Sequence, residues 1–191
     1  MYFHHLYVNG YDITKFVFID ESHVDDRSRN RIYGYARRGE VATFRYIVSR
    51  GQRYTLAAAV GFNGVIDYII IEGSCTATKF FRWFVSSLYF ALEHDSVLVL
   101  DNARIHHYQP FLEIAEFLGV RIVFLPPYSP HLNPVENLWA AIKALIRRYR
   151  DEIDSNPVLA LGMILEHYRD FPIRNILERM GYGEICELDE E

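Results

Sequence analysis

The sequence predicts an α/β fold in which a mixed β-sheet is flanked by helices. Short apolar runs typical of buried strands alternate with segments whose apolar residues recur at helical spacing, and an Asn-Gly pair joins two of the runs. Half of the 191 residues are hydrophobic, which is enough for a substantial core. We therefore expect an N-terminal segment (residues 1–14), one α/β domain (residues 15–150) and a C-terminal helical extension (residues 151–191).

The first half of this domain is predicted to hold three strands and one helix. The three strands are short runs rich in β-branched and aromatic residues: residues 15–20, 54–62 and 65–71. Residues 21–50 are charged and are expected to be irregular. The pair Asn63-Gly64 favours a type I′ hairpin turn, in which both positions need a positive φ. Thr76 is a suitable N-cap for a helix that continues to Glu93.

The second half of the domain adds two strands and two helices, and the C-terminal extension adds two further helices. The strands are expected at residues 97–101 and 120–124, and the helices at residues 110–118, from Asn133 to about Arg150, from Asp154 or Ser155 to about Arg169, and at residues 173–180. Gly119 ends the first of these helices. Prolines make residues 126–134 extended and stiff, and Asn133 caps the following helix with Pro134 at its first position.

This order of elements fits a ribonuclease H-like fold. In that arrangement the strand that ends at Asp20 and the strand that ends at Asp101 can lie side by side. Their carboxylates would meet at one edge of the sheet, where open α/β sheets usually bind ligands. The stiff connector would bring Glu136 back over the same edge.

Asp20, Asp101 and Glu136 are therefore the candidate catalytic and metal-binding residues. Three carboxylates from three elements suit two Mg²⁺ ions, which prefer oxygen ligands and can drive phosphodiester cleavage. Each residue also has a simpler interpretation. Asp20 could begin a polar loop, Asp101 with Asn102 could open a turn, and Glu136 could complete a capping box with Asn133.

The neighbours of these carboxylates suggest supporting roles. Asn102 is a candidate for orienting Asp101 or a metal-bound water from outside the ligand set. His106 is a second candidate for a supporting role outside the ligand set; it could touch phosphate, or it could merely cap the next helix. Glu21 should point away from Asp20 because successive side chains in a strand face opposite sides, so we interpret it as structural. Trp139 lies on an apolar helix stripe and is expected in the core.

The cations are distributed unevenly, although the net charge is −5. Between residues 27 and 53 the chain holds eight arginines and a single acid, Glu40. Within this stretch Arg37 and Arg38 are candidate DNA-binding residues, and so are Lys143 and Arg147, which share a helix face with Glu136. The competing interpretation of the arginine stretch is a solvated charged loop.

Several other classes of protein do not fit. Cys75 and Cys186 have no zinc-like spacing, and a disulfide is not expected without a secretory signal. The sequence lacks a Gly-x-Ser-x-Gly elbow and a Gly-rich phosphate loop. It also lacks an apolar run of about 18 residues, so no membrane partner is expected.

These motifs resemble the catalytic domain of DDE transposases of the mariner superfamily and its bacterial insertion-sequence relatives. The matching segments are Asp20-Glu21-Ser22, residues 33–39, Asp101-Asn102-Ala103 with His106, residues 126–136, and Leu138-Trp139 with Ile142-Lys143. The proline run that ends in Glu136 is the most specific of them, and the resemblance covers residues 15 to 150. Members of the family carry helix-turn-helix modules before this domain, whereas 19 residues precede Asp20 here.

The resemblance implies a Mg²⁺-dependent transposase domain that cleaves DNA at transposon ends and transfers the freed strand. Two Mg²⁺ ions, replaceable by Mn²⁺, and DNA are the expected cofactor and partner, and a homodimer is an assembly that this function allows. Two alternatives stay open: a stand-alone ribonuclease H-like nuclease, and a domesticated or truncated remnant that binds DNA or protein. The expected location is the nucleus of a eukaryote or the cytoplasm of a bacterium.

Overall fold

The computed structural model describes residues 6, 10–25, 35–41 and 52–182. Within them a five-stranded sheet has the order β3-β2-β1-β4-β5. Its strands are β1 (Phe16–Val24), β2 (Tyr54–Gly61), β3 (Gly64–Glu72), β4 (Val97–Leu100) and β5 (Arg121–Phe124). The pairs β1–β2 and β2–β3 are antiparallel, whereas β1–β4 and β4–β5 are parallel. The predicted mixed sheet is therefore confirmed.

Apart from 3₁₀ turns, six helices lie between or after these strands in the described part of the chain. Helix α1 runs over Ala77–Trp83, continues through a π-helical turn at Phe84–Leu88 and ends with Tyr89–Ala91. The others are α2 (Gln109–Phe117), α3 (Val135–Arg148), α4 (Arg150–Ser155), α5 (Pro157–His167) and α6 (Ile173–Arg179). Among the described residues, no helix combines the length and apolarity that a bilayer span requires.

Helices cover both faces of the sheet, and β1 contributes to both cores because its side chains alternate. Phe16 and Phe18 pack with buried residues of α3, α5 and α6. Val17 and Ile19 pack with buried residues of α1 and α2 on the other face. The C-terminal helices bury several side chains in the same cluster as Phe16, namely Ile153, Leu161, Leu165, Ile173 and Leu177. They are therefore a layer packed on the sheet.

Two predictions about the first strands were wrong. Strand β1 does not stop at Asp20 but continues to Val24, because residues 18–24 pair with β2. The turn between β2 and β3 is Phe62-Asn63, since Gly61 and Gly64 form the last pair of the hairpin. Among the described residues other than glycine, only Asp95 and Tyr128 have a positive φ, so Asn63 does not form a type I′ turn.

Helical segments also differ from the prediction in two places. The helix expected from Asp154 or Ser155 is interrupted, because Pro157 begins α5 and the Asn156 side chain caps it by accepting a hydrogen bond from the Leu159 N–H at 3.4 Å. The connector is not extended throughout, since Pro130–Leu132 form one 3₁₀ turn.

Gly64 cannot be replaced without displacing the backbone next to it. Its φ is +132°, and an added Cβ would lie 2.1 Å from the Arg169 carbonyl oxygen. That oxygen accepts a hydrogen bond from the Val65 N–H at 2.9 Å, which joins the hairpin to the segment after α5.

We expect Gly64→Ala to lower the free energy of unfolding by about 1–3 kcal/mol, because alanine would be strained at this φ and would push Arg169 away. Urea denaturation measures the loss. Gly119→Ala is the matched control, since Gly119 has a φ of +72° but a Cβ added there would meet nothing within 4 Å. Equal losses in the two variants would show that the close approach of Arg169 is unimportant.

Candidate active site

The parallel register of β1 and β4 brings Asp20 and Asp101 together. Ile19 is the partner of Leu100, so Asp20 and Asp101 are the next residues along the two neighbouring strands. Asp20 itself still pairs with Ala58 of β2, which places it inside β1 rather than at its end. The predicted adjacency of these two strands is therefore what the structure has.

Asp20 is nearly buried, with 9% of its surface exposed. Its Oδ1 accepts a hydrogen bond from the Glu21 N–H at 2.8 Å, and its Oδ2 accepts one from the Trp139 Nε1–H at 3.2 Å. Burial is the main cause that raises the pKa of Asp20 to about 7. The hydrogen bond from the Glu21 N–H lowers this pKa, whereas the nearby carboxylates of Glu21, Glu136 and Asp101 raise it. A cation at this position would relieve that repulsion.

Asp101 has the opposite electrostatic environment. Its Oδ1 accepts a hydrogen bond from the Ala103 N–H at 2.9 Å and lies 2.8 Å from His106 Nδ1. The bond from His106 is the main cause that lowers the pKa of Asp101. Both partners use Oδ1, so within the described part of the chain Oδ2 keeps its acceptor sites for another ligand.

Glu136 lies in the first turn of α3 and is exposed. The helix begins at Val135 with Pro134 as its N-cap, one residue later than predicted. Asn133 still supports the first turn, because its Oδ1 accepts a hydrogen bond from the Val135 N–H at 3.2 Å and its carbonyl accepts one from the Glu136 N–H at 3.2 Å. The Glu136 carboxylate has no hydrogen-bond partner among the described residues. The capping-box alternative, in which this carboxylate returns to the helix start, is therefore not found there.

The three carboxylates line one cleft of about 490 Å³, together with Asn102 and the proline connector. Within the described ranges, no three His, Cys, Asp or Glu side chains converge closely enough to enclose a metal ion. The donor set nevertheless suits a hard divalent cation, because all three groups are carboxylates and an open cleft leaves room for water and phosphate oxygens.

The structure assigns partners to both predicted supporting residues. Asn102 is exposed, and its Nδ2 donates to the Leu125 carbonyl, so it joins the loop after β4 to the end of β5 rather than orienting Asp101. His106 is fully buried and contacts both Asp101 and Glu21. A ring without exposed surface cannot touch phosphate, and it does not cap a helix, so both alternatives for His106 were wrong. Its contact with Asp101 instead supports a role outside the ligand set.

The predicted cations lie in two places. Lys143 and Arg147 are half-buried on α3, the helix that begins beside Glu136. Arg37 and Arg38 are exposed in a turn closed by a hydrogen bond from the Glu40 N–H to the Arg37 carbonyl at 2.9 Å. Five other arginines of the stretch lie outside the described residues, namely Arg27, Arg29, Arg31, Arg45 and Arg50.

Sequence reasoning missed two features of the site. Trp139 is in the core as predicted, with 2% exposure, but it also donates to Asp20. Its position one helical turn after Glu136 was the available signal. Tyr128 lines the cleft, is 99% exposed and has a φ of +56°, which is unusual for an aromatic residue. No pattern in the sequence indicated that conformation.

Comparison with known proteins places this chain in a family. The profile described as DDE superfamily endonuclease matches residues 15–158. Over 44 residues, which are 23% of this chain and 30% of the relative, the sequence is 48% identical to the uncharacterized protein y4pE/y4sA of Sinorhizobium fredii (strain NBRC 101917 / NGR234).

Solved structures of the Mos1 mariner transposase share the fold. The paired end complex with Mn matches with a TM-score of 0.74 at 20% identity, over 91% of this chain and 54% of that chain. The paired end complex with Mg gives 0.69 at 19% identity, over 92% and 56%. The catalytic domain alone gives 0.61 at 16% identity, over 91% and 80%. These matches confirm the ribonuclease H-like fold, and the chain spans about half the length of the Mos1 chains in the complexes.

Because the two aspartates have contrasting environments, neutralising them should change the free energy of unfolding in opposite directions in the metal-free protein at pH 8. Asp20→Asn should raise the free energy of unfolding by about 1–3 kcal/mol, because it removes a carboxylate whose pKa folding raises. The gain should shrink as the pH falls from about 7 towards the ordinary value of 3.8, since the folded protein then holds a neutral Asp20.

Asp101→Asn is the matched comparison and should lower the free energy of unfolding by about 1–3 kcal/mol, because it removes the negative charge that pairs with buried His106. The pKa of Asp101 is lowered, so its contribution is present above 3.8 and is lost as the pH falls through its folded value. Urea denaturation with a chelator at several pH values measures both variants. A lower free energy of unfolding for Asp20→Asn than for the parent at pH 8 would contradict the raised pKa of Asp20.

Proposed function

This chain belongs to the DDE superfamily of endonucleases, and from that premise we propose that it is the catalytic domain of a mariner-like DNA transposase. The reaction would be metal-dependent hydrolysis of phosphodiester bonds at transposon ends, followed by attack of the freed 3′-hydroxyl on target DNA. The observation that carries the proposal is the adjacency of Asp20 and Asp101 on paired parallel strands, with Glu136 lining the same cleft.

The carboxylates would hold two Mg²⁺ ions, or Mn²⁺ in their place. Such ions activate an attacking water and stabilise the leaving oxygen. Asp20 supplies the most buried ligand, and the N–H groups of Glu21 and Trp139 fix one lone pair on each of its oxygens. Asp101 supplies Oδ2, while His106 and the Ala103 N–H hold Oδ1. Glu136, exposed at a helix start, is the ligand with the most freedom to approach.

The arrangement of cations supports DNA as the partner. Lys143 and Arg147 follow Glu136 along α3, so a duplex lying across this helix would meet the acidic cleft at one end and cations farther on. Arg37 and Arg38 would add phosphate contacts from their exposed turn. A homodimer belongs to the same proposal, and the paired end complexes of Mos1 support it.

Catalysis should require all three carboxylates. We expect the parent chain to nick DNA in Mg²⁺ or Mn²⁺, and Asp20→Asn, Asp101→Asn and Glu136→Gln each to abolish nicking, because each keeps the side-chain shape but removes the charge that holds the ions. Gel analysis of plasmid and of transposon-end DNA measures cleavage and strand transfer. Glu116→Gln, an exposed glutamate on α2, is the control and should stay active.

Three results would count against this proposal. Activity that survives any one of the three site substitutions would remove that residue from the catalytic set. Cleavage without joining of pre-cleaved 3′ ends would favour the stand-alone nuclease. DNA binding without cleavage in either metal would favour the remnant that only binds.

Arg37 and Arg38 should contribute to DNA affinity. We expect replacement of both by alanine to weaken DNA binding and to make its dependence on salt shallower, because fewer counterions are then released from the phosphates. The melting temperature should stay constant, since both side chains are exposed and the change in stability should be no more than about 0.5 kcal/mol. Fluorescence anisotropy across a salt series and thermal denaturation measure the two effects. Unchanged affinity with a lower melting temperature would show that these arginines stabilise the fold instead.

A further inference from the structure

Glu21 occupies a position that a structural role alone does not explain. It follows Asp20 in β1 and therefore points to the opposite face of the sheet. Its side chain is only 10% exposed, and its Oε1 lies 3.1 Å from His106 Nε2. The surrounding cluster is apolar and contains Phe80, Phe84 and Phe111. Burying a carboxylate there costs free energy unless the group is well paired.

His106 connects this carboxylate to the active site. Its ring has no exposed surface and packs against Phe80 with ring centroids 4.9 Å apart. Nδ1 lies 2.8 Å from Oδ1 of Asp101 and 3.2 Å from the Asp101 carbonyl oxygen. Both ring nitrogens therefore lie within hydrogen-bond distance of oxygen atoms, so the ring is held at both ends. A ring held at both ends keeps its orientation, and so does the carboxylate to which it donates.

We propose that Glu21 and His106 are positioning residues for Asp101: Glu21 fixes the imidazole ring, the ring holds Oδ1 of Asp101, and Oδ2 is thereby kept in place for a divalent ion. Adjacent residues of β1 thus serve the same site from opposite faces of the sheet. Asp20 acts directly, and Glu21 acts through the ring of His106. Partners that orient metal ligands in this way typically contribute about 10–100-fold in metal affinity.

A purely structural role for the buried pair of Glu21 and His106 explains this geometry poorly. Replacing such a pair with well-packed apolar residues is often neutral or stabilising. The apolar cluster around His106 could accommodate that replacement. What an apolar pair could not provide is a polar contact that holds Oδ1 of Asp101.

The inference rests on the proposed function, because it assumes that Asp101 binds a divalent ion. The test measures Mn²⁺ affinity of the DNA-free protein by electron paramagnetic resonance. Glu21→Gln keeps the reach to His106 but loses the charge, whereas Glu21→Asp keeps the charge but is one methylene too short. We expect Glu21→Asp and His106→Ala to weaken Mn²⁺ binding about 10–100-fold and Glu21→Gln to retain most of it. His94→Ala is the matched control, since His94 is exposed and contacts Asp95 rather than Asp101.

A double-mutant cycle separates positioning from general destabilisation. In an Asp101→Asn background, Glu21→Asp should have little further effect on Mn²⁺ affinity, whereas in a Glu136→Gln background it should have its full effect. Thermal denaturation checks that each variant is folded. If His106→Ala does not fold, the comparison of Glu21→Asp with Glu21→Gln and with the His94→Ala control still tests the proposal.

The possible outcomes are distinct. Parental Mn²⁺ affinity in folded Glu21→Asp, or weaker binding in Glu21→Gln than in Glu21→Asp, overturns the positioning role alone. A parent chain that binds Mn²⁺ but does not cleave DNA overturns the proposed function and leaves the positioning role standing. A parent chain that does not bind Mn²⁺ overturns both.

Discussion

The site depends first on the parallel pairing of β1 with β4. Their register sets Ile19 beside Leu100, and only this register makes Asp20 and Asp101 the next residues on adjacent strands. A shift by one residue would turn Asp20 to the opposite face, where Glu21 now lies. Apolar side chains on both faces of β1 oppose such a shift, because it would exchange the residues buried in the two cores. Packing on both sides of one central strand therefore fixes the geometry of the carboxylates.

The two aspartates lie at the same edge of the sheet, but their surroundings shift their pKa values in opposite directions. Asp20 is buried with other carboxylates nearby, so its ionised form is disfavoured without a cation. Asp101 accepts from a buried imidazole, so its ionised form is favoured in the free protein. Burial alone would lower the pKa of His106, but the bonds to Asp101 and Glu21 outweigh it and raise that pKa to about 10. Under the proposed function, Asp101 would be ready for an ion at neutral pH, whereas Asp20 would gain most from its arrival.

Much of this arrangement could be predicted from the sequence because it is encoded locally. Four apolar residues before Asp20 specify a buried strand, and the prolines before Glu136 specify a stiff approach to a helix. The contacts of His106 could not be predicted, because Glu21 lies 85 positions away and meets the ring only after the sheet and α1 have packed. The extension of β1 to Val24 was missed for a similar reason, since it depends on pairing with β2 rather than on the charged residues that follow Asp20. The π-helical turn in α1 left no recognisable signal in an otherwise regular helical pattern.

Tyr182, at the end of the described chain, has a consequence for folding during synthesis. Its fully buried ring contacts Phe16 and Phe18 edge-on, and its hydroxyl donates to the Leu132 carbonyl at 2.9 Å. The last residue of the described part of the chain thus joins the first strand to the connector that leads to Glu136. A nascent chain still held by the ribosome at this point cannot complete the core beneath β1, and contacts this distant in sequence form late. The core beneath β1, on which the position of the carboxylate cleft depends, is therefore complete only after Tyr182 has left the ribosome.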